Sequence, residues 1–319
     1  MRPTMGEESS MSLMQRLAGA PISWGVCEVP GWGVELPPRR VFAEMRQCGL
    51  GATELGADGY LPSDPTELKD LCAEYDLTMI GGFVPLVLHR PDQLEATLAA
   101  AERTARMMSA AGGTVFVTSG VTDWDWGPRH ELSDADWKFA ADTLERVDQI
   151  VSDHGMTQAI HPHLRTVVET KADIEALLEV SDVGWTFDMG HMQIGGMDPL
   201  VFLDAAFDRI RHVHLKDVVM DRAMPVFHHE QTIMEGVQAG MFSNIGAGDV
   251  PIREIVSRLE SRGYDQWYVI EQDAAITSGE PADGEGPILD VLASIEFLRG
   301  IEAPASADLE PEHLSKGRP

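Results

Sequence analysis

Short apolar runs alternate along the chain with longer stretches whose apolar positions recur at helical spacing. The runs end near Trp24, Leu55, Phe83, Thr118, His163, Asp188, His214 and Glu271. Helical periodicity covers Pro38 to Cys48, Pro65 to Tyr75, Leu94 to Ala111, Asp134 to His154, Ile174 to Val180, Pro199 to Arg209, Ile252 to Arg262 and Pro287 to Arg299. Pro287 near a first turn and Gly300 beyond a last one frame the final helix. Strand followed by helix, repeated in this way, predicts parallel pairing through right-handed crossovers. Eight such units make an α/β fold of the (β/α)8 TIM barrel type.

The pattern fades at both ends. Residues 1–17 and 302–319 are polar and rich in Pro, Ser, Ala and Glu, and read as flexible segments flanking one barrel domain over residues 18–301. Two connections are long. The one after Thr118 holds Asp123-Trp124-Asp125-Trp126-Gly127, and the one after His214 runs to about Gly248, lengths that in a compact domain accompany function or disorder.

Composition narrows the field. The chain carries 52 Asp plus Glu against 24 Lys plus Arg, a formal net charge of -28. Such a surface repels a phosphate backbone and excludes nucleic acid as a partner. Cys27, Cys48 and Cys72 are scattered and odd in number, which indicates neither a disulfide framework nor a cysteine zinc site and fits a reducing cytoplasm. With no apolar window near the ~18 residues of a membrane span, no membrane partner is expected.

The chemistry gathers at the ends of four successive predicted strands: His161-Pro-His163, Asp188-Met-Gly-His191, His212-Val-His214-Leu-Lys-Asp217 and Glu271-Gln-Asp273. A parallel barrel collects its strand ends on one face, where distant residues converge on one ion. One residue from each segment gives His163, Asp188, His214 and Glu271, two imidazoles and two carboxylates, a donor set for one divalent ion. Alternation does not choose between His161 and His163, or between His212 and His214, because residues two apart share a face; the other of each pair is available as a supporting partner. A lone His or Asp after a strand is ordinarily a turn residue. Four in succession argue for a metal.

Other residues have two readings each. Glu54 is a substrate-hydroxyl acceptor or a salt-bridge partner at the barrel mouth. Lys216 either polarises a ketone or forms a Schiff base with it, or makes a structural ion pair, and the pair is preferred with its side chain directed away from His214. Trp24, Trp32, Tyr60, Trp124 and Trp126 cluster at or beyond strand ends, where flat rings cover the apolar face of a sugar; Trp24 and Trp126 are the first choices as substrate walls. His89 reads as a solvated loop residue and Cys27 as a small hydrophobe. Arg129 and Arg165 are the basic residues near the predicted mouths, too few for a phosphate site.

The segments Ala20-Pro-Ile-Ser-Trp-Gly-Val-Cys-Glu-Val-Pro-Gly-Trp32, Ala52-Thr-Glu-Leu-Gly-Ala-Asp-Gly-Tyr-Leu-Pro62, His161-Pro-His163 with Val168-Glu-Thr170, Asp188-Met-Gly-His191 and His212-Val-His-Leu-Lys-Asp217 resemble the inosose dehydratase family, one of the xylose isomerase-like sugar isomerase and epimerase barrels. The resemblance implies a TIM barrel with one ion of the Mn or Co type, Zn or Mg being alternatives. It implies ligands at His163, Asp188, His214 and Glu271, substrate contacts from Glu169, His191 and Asp217, and a small neutral polyol or sugar ketone as substrate. Barrels of this kind imply a homodimer or homotetramer. Related ketose 3-epimerases carry a Glu where this chain has His163, so a two-base epimerisation is disfavoured and a one-sided elimination remains.

The expected activity is a hydro-lyase reaction: removal of a proton α to a ketone and loss of a β-hydroxyl. Glu271 or Glu169 is the expected base, and His191 or a metal-held water assists the departing hydroxyl. A sugar or sugar-phosphate epimerase or isomerase is the alternative, and a non-catalytic ligand-binding barrel the third.

Overall fold

Eight parallel strands close on one another in the computed structural model, which describes residues 11–302. The strands are β1 (Leu17–Gly19), β2 (Ala52–Glu54), β3 (Thr78–Leu86), β4 (Val115–Gly120), β5 (Thr157–Ile160), β6 (Trp185–Asp188), β7 (Ile210–Leu215) and, after an excursion described below, β10 (Tyr268–Ile270). The barrel order is β1-β10-β7-β6-β5-β4-β3-β2, so the first strand seals against the last. The expected TIM barrel is the observed fold.

Register explains what fills the interior. Ala18 lies beside both Ala52 and Val269, and Val269 lies beside His214. Ala18, Ala20, Ala52, Ile80 and Val269 form one small buried cluster, and Val115, Val117 and Ala159 another. Small residues fit the narrow interior, while alternate positions such as Leu17, Phe116, Phe187 and Tyr268 join the large core beneath the surrounding helices. Those helices are α1 (Pro38–Gln47), α2 (Pro65–Glu74), α3 (Leu94–Ala111), α4 (Asp134–Asp153), α5 (Lys171–Val180), α7 (Pro199–Ala206), α10 (Ile252–Ser261) and α11 (Pro287–Glu302), close to the periodic stretches of the sequence. Short polar residues begin several of them: Ser133 and Thr170 each form a reciprocal capping box.

The structure departs from expectation in four places. The first strand ends at Gly19, and Pro21–Trp24 forms a 3-10 turn, because proline cannot extend the ladder. Likewise β5 stops at Ile160, leaving His161-Pro162-His163 in the connection that follows. The segment after β7 is built rather than bare. It contains α8 (Met220–Phe227), α9 (Ile233–Gln238) and a short antiparallel pair, β8 (Asp217–Val218) with β9 (Phe242–Ser243), and a further short helix, α6 (Met189–Ile194), follows β6.

The fourth difference is at the amino end. Leu13–Arg16 is a 3-10 turn with Leu13 and Arg16 buried. Arg16 Nη1 donates to Tyr264 O at 2.8 Å and Nη2 to Glu260 Oε2 at 2.6 Å, tying the turn across the β1–β10 seam. Residues 1–10 and 303–319, which carry the rest of the expected flexible ends, lie outside the described residues. No helix among the described residues is long and apolar enough to cross a membrane.

Strand β3 and β4 approach so closely that a Cβ on Gly81 would fall 2.3 Å from Val115 O. Gly81→Ala should therefore lower the denaturation midpoint, at a cost of about 1–3 kcal/mol, measured by chemical unfolding. A midpoint equal to that of the unsubstituted chain would contradict the packing of these strands.

Candidate metal centre

Asp188 closes β6 and caps α6, its Oδ1 accepting the His191 N–H at 2.8 Å. Its other oxygen, Oδ2, faces His161 Nε2 at 3.2 Å and His214 Nδ1 at 3.7 Å. Glu271, just past β10, brings Oε2 against His214 Nδ1, but without hydrogen-bond geometry, so both atoms are buried and unpartnered. The His161 and His214 rings lie 4.8 Å apart. Asp188, His214 and Glu271 thus meet from three strand ends, and His161, from a fourth, joins them through Asp188. Donor atoms of His161, Asp188 and His191 lie within 4.8 Å of one another, as do those of Asp188, His214 and Glu271.

His163, the ligand expected from its segment, sits elsewhere. Its Nδ1 bonds Leu164 O at 2.8 Å, and its ring lies 4.1 Å from that of His191. With His191 and Asp273 it forms a neighbouring group of donors. Burial first, then the nearby His161 and Lys216, push the His163 imidazole down to about 3. Burial and His163 likewise hold His191 well below the ordinary histidine range. Both rings are neutral near pH 7, and both nitrogens of His191 lack a partner.

The orphaned His161 Nδ1, His214 Nδ1 and Glu271 Oε2, in a set of two imidazoles and two carboxylates without thiolate, suit a divalent cation of the borderline kind. Glu54 orients one of these donors. It reaches across the barrel from β2, and its Oε1 meets His212 Nε2 at 2.7 Å and His214 Nε2 at 3.0 Å. A carboxylate behind an imidazole fixes its tautomer and aims its other nitrogen outward. Burial pushes the Glu54 carboxyl up, yet the two imidazoles outweigh it and hold the group far below the ordinary carboxylate range. Of its two readings, the buried polar partner is the one observed.

Lys216 follows β7 with no exposed surface. Residues two apart on a strand share a face, so it points inward with His214, not away from it as expected. Its Nζ lies 3.0 Å from Glu271 Oε1, 2.5 Å from Asp273 Oδ1 and 3.9 Å from Asp188 Oδ2. Burial lowers its affinity for a proton, but Asp273, Glu271 and Asp188 outweigh that and keep it charged. Burial raises the Glu271 carboxyl, whereas His214 and Lys216 bring it down to about 2.

Three expected substrate residues are scaffold. Trp24 is fully buried and donates Nε1–H to Glu44 Oε2 at 2.9 Å, so it walls no cavity. Asp217 is saturated: Oδ2 accepts from the N–H groups of Gly246 at 2.8 Å and Gly248 at 3.0 Å, and Oδ1 from Val218 at 2.9 Å and Val250 at 3.1 Å. It clamps the glycine-rich turn. Glu169 accepts from Arg165 N at 2.8 Å and pairs with Arg129 Nε at 3.1 Å, outside the donor groups above. Arg129 also pairs with Asp173, and Arg165 with His229 and Val226 O, so neither guanidinium is free for a phosphate.

Trp126 is 40% exposed, stacks on Phe83 with centroids 6.1 Å apart, and meets the His163 ring edge-on at 6.3 Å. Phe83, against His163, and Phe242, against His191, are not among the candidates drawn from the sequence, nor is Asp273, which joins His163 and His191. Phe83 does lie at a predicted strand end, the one signal that marks it. His89 is buried, not solvated, with neither ring nitrogen partnered. Cys27 matches the hydrophobe reading, since burial first, with little offset, pushes its thiol up to about 12.

Loss of the Glu54 carboxylate should loosen His214. Glu54→Gln is expected to weaken divalent-ion binding about 10- to 100-fold, read by chelator competition, and an unchanged affinity would remove Glu54 from this role. Burial, then the His130 ring, lower the His89 affinity for a proton below the ordinary value of 6.5. The unfolded chain therefore binds a proton that the folded chain refuses, so stability is full above that value and declines as pH falls below it. His89→Phe should flatten this acid limb in thermal melts, and an unaltered pH dependence would count against it.

The family model for the xylose isomerase-like TIM barrel matches residues 42–300. An inosose dehydratase of Geobacillus kaustophilus is 31% identical over 277 residues, which cover 82% of this chain and 89% of that one. The probable 3-DHS dehydratase AsbF from Bacillus anthracis has a TM-score of 0.64 at 14% identity, covering 89% of this chain and 98% of that one. The IOLI protein, solved with a binding zinc atom, has a TM-score of 0.66 at 13% identity, covering 90% of this chain and 98% of that one. The two solved structures speak to the fold, and the sequence relative to closer kinship. The chain belongs to the xylose isomerase-like TIM barrel family and, within it, to the inosose dehydratases.

Proposed function

We propose that the protein is a metal-assisted hydro-lyase that removes water from a small, neutral, cyclic polyhydroxy ketone of the inosose kind. The observation that carries this reading is the approach of Asp188, His214 and Glu271 to one another, with His161 against Asp188, in a chain of this family. His161 replaces His163 in the ligand set because it faces Asp188 and His214, whereas His163 faces His191. A divalent ion held by these residues would supply Lewis acidity toward the substrate ketone. The Mn or Co type is preferred on kinship, and the nitrogen and oxygen donors also accept zinc. Zinc is the ion named for the IOLI protein.

The protein side chains do the rest. Glu54 holds His214, and Lys216 holds Glu271, so two of the four donors are preset. His191, neutral and unpartnered, offers a hydrogen bond to the departing hydroxyl. Trp126 and Phe83 supply flat apolar faces for the C–H side of a ring. Charge accounts for a neutral substrate: Asp188, Glu271 and Asp273 would be balanced by Lys216 together with a doubly charged ion, and the nearby arginines are occupied. The three cysteines are free, which supports a cytoplasmic setting.

Metal-loaded protein incubated with keto-inositols should lose water and form a conjugated product seen by its absorbance. Chelation should abolish turnover, and manganese or cobalt should restore it. Solvent deuterium in a new stereoisomer, without water loss, would identify an epimerase instead and overturn this reading.

A further inference from the structure

Four carboxylates surround the centre, and three are committed. Glu54 Oε1 serves two imidazoles, and Asp188 spends Oδ1 on the His191 N–H and Oδ2 on His161. Glu271 turns Oε2 to His214 and Oε1 to Lys216. A carboxylate engaged by an ion and an ammonium is a poor acceptor for a further proton. Asp273 differs. Lys216 Nζ occupies Oδ1 at 2.5 Å, and Oδ2 accepts no hydrogen bond among the described residues.

We infer that Asp273, which lies outside the metal set, takes the proton α to the substrate ketone. The inference rests on the dehydratase reading and deepens it. Asp273 shares a donor group with His163 and His191, and His163 in turn meets the exposed Trp126 edge-on. It therefore stands on the side of the centre that faces the mouth, where a ring held against Trp126 and Phe83 would sit. Lys216, flanked by Glu271 and Asp273 and lying 4.6 Å from the centre of the Phe242 ring, fixes the direction of Oδ2. Two carboxylates two residues apart would otherwise repel.

The step balances with no co-reactant. The α C–H bond breaks, its proton bonds Asp273 Oδ2, and its electron pair enters the enediolate. That pair then forms the new C=C bond as the β C–O bond breaks. The leaving hydroxyl takes the proton back from Asp273, so water departs and the carboxylate is regenerated, with His191 orienting the hydroxyl.

Asp273→Asn should lower kcat on a keto-inositol about 10²- to 10⁴-fold, with unchanged bound-ion content and unchanged affinity for the same cyclitol lacking the ketone. Asp273→Glu, which keeps the carboxylate, should exceed the Asn variant in kcat. Lys216→Arg should retain more kcat than Lys216→Met at equal KM, as a positioning charge requires. If Asp273→Asn turns over within about tenfold of the unsubstituted protein, short of the general-base range, or loses its ion, the inference is overturned. An unsubstituted protein that binds the ion but never dehydrates would overturn the dehydratase reading as well, which separates the two failures.

Discussion

Burying charge at the end of a barrel is costly unless each charge has a partner, and the mouth of this barrel is arranged around that constraint. Lys216, without exposed surface, lies among Asp188, Glu271 and Asp273. An unpaired ion in such a place costs several kcal/mol, so the lysine lets three acids remain close enough to share a task. The surrounding imidazoles of His163, His191 and His212 are kept from charging by burial, which limits the positive charge the site must bear. Burial opposes charge on His214 as well, but Glu271 and Glu54 outweigh it and raise that ring's affinity for a proton, so a divalent cation bound there would displace a proton.

The same constraint separates working groups from supporting ones. Asp217 and Glu169 resemble site residues in sequence, yet each is satisfied by backbone N–H groups or by an arginine. Their chemistry goes into shaping connections. Asp217 gathers the turn around Gly246 and Gly248, where a Cβ on Gly248 would strike the carboxylate itself at 2.2 Å. Asp273 is as buried as Glu271 but keeps one oxygen free of hydrogen bonds among the described residues. The difference between these acids lies in the partners each one meets.

Those partners explain what was legible in the sequence. Eight strands, the long helices and the ends of β6 and β7 follow from local periodicity, and Asp188, His214 and Glu271 stand where that periodicity puts them. The choice of His161 over His163 depends on where β5 stops, because residues two apart share a face and alternation does not rank them. Lys216 was open to correct placement, since a residue two positions from His214 shares its face. Trp24 meets Glu44 only once α1 folds back on the first turn, a contact no local pattern encodes. The helices α8 and α9 are short and cover the mouth instead of the barrel, so they lack the long apolar stripe that marks the others.

The seam between β1 and β10 has a consequence for biosynthesis. A single domain folds as a unit, and here the opening strand needs a partner near the far end of the chain: Leu17 pairs with Tyr268 and Gly19 with Ile270. The last of the four donors, Glu271, directly follows that partner. A nascent chain therefore emerges with an open sheet edge and an incomplete donor set, and both deficits end together when the final strand arrives. Barrel closure and completion of the candidate donor set both wait on that strand.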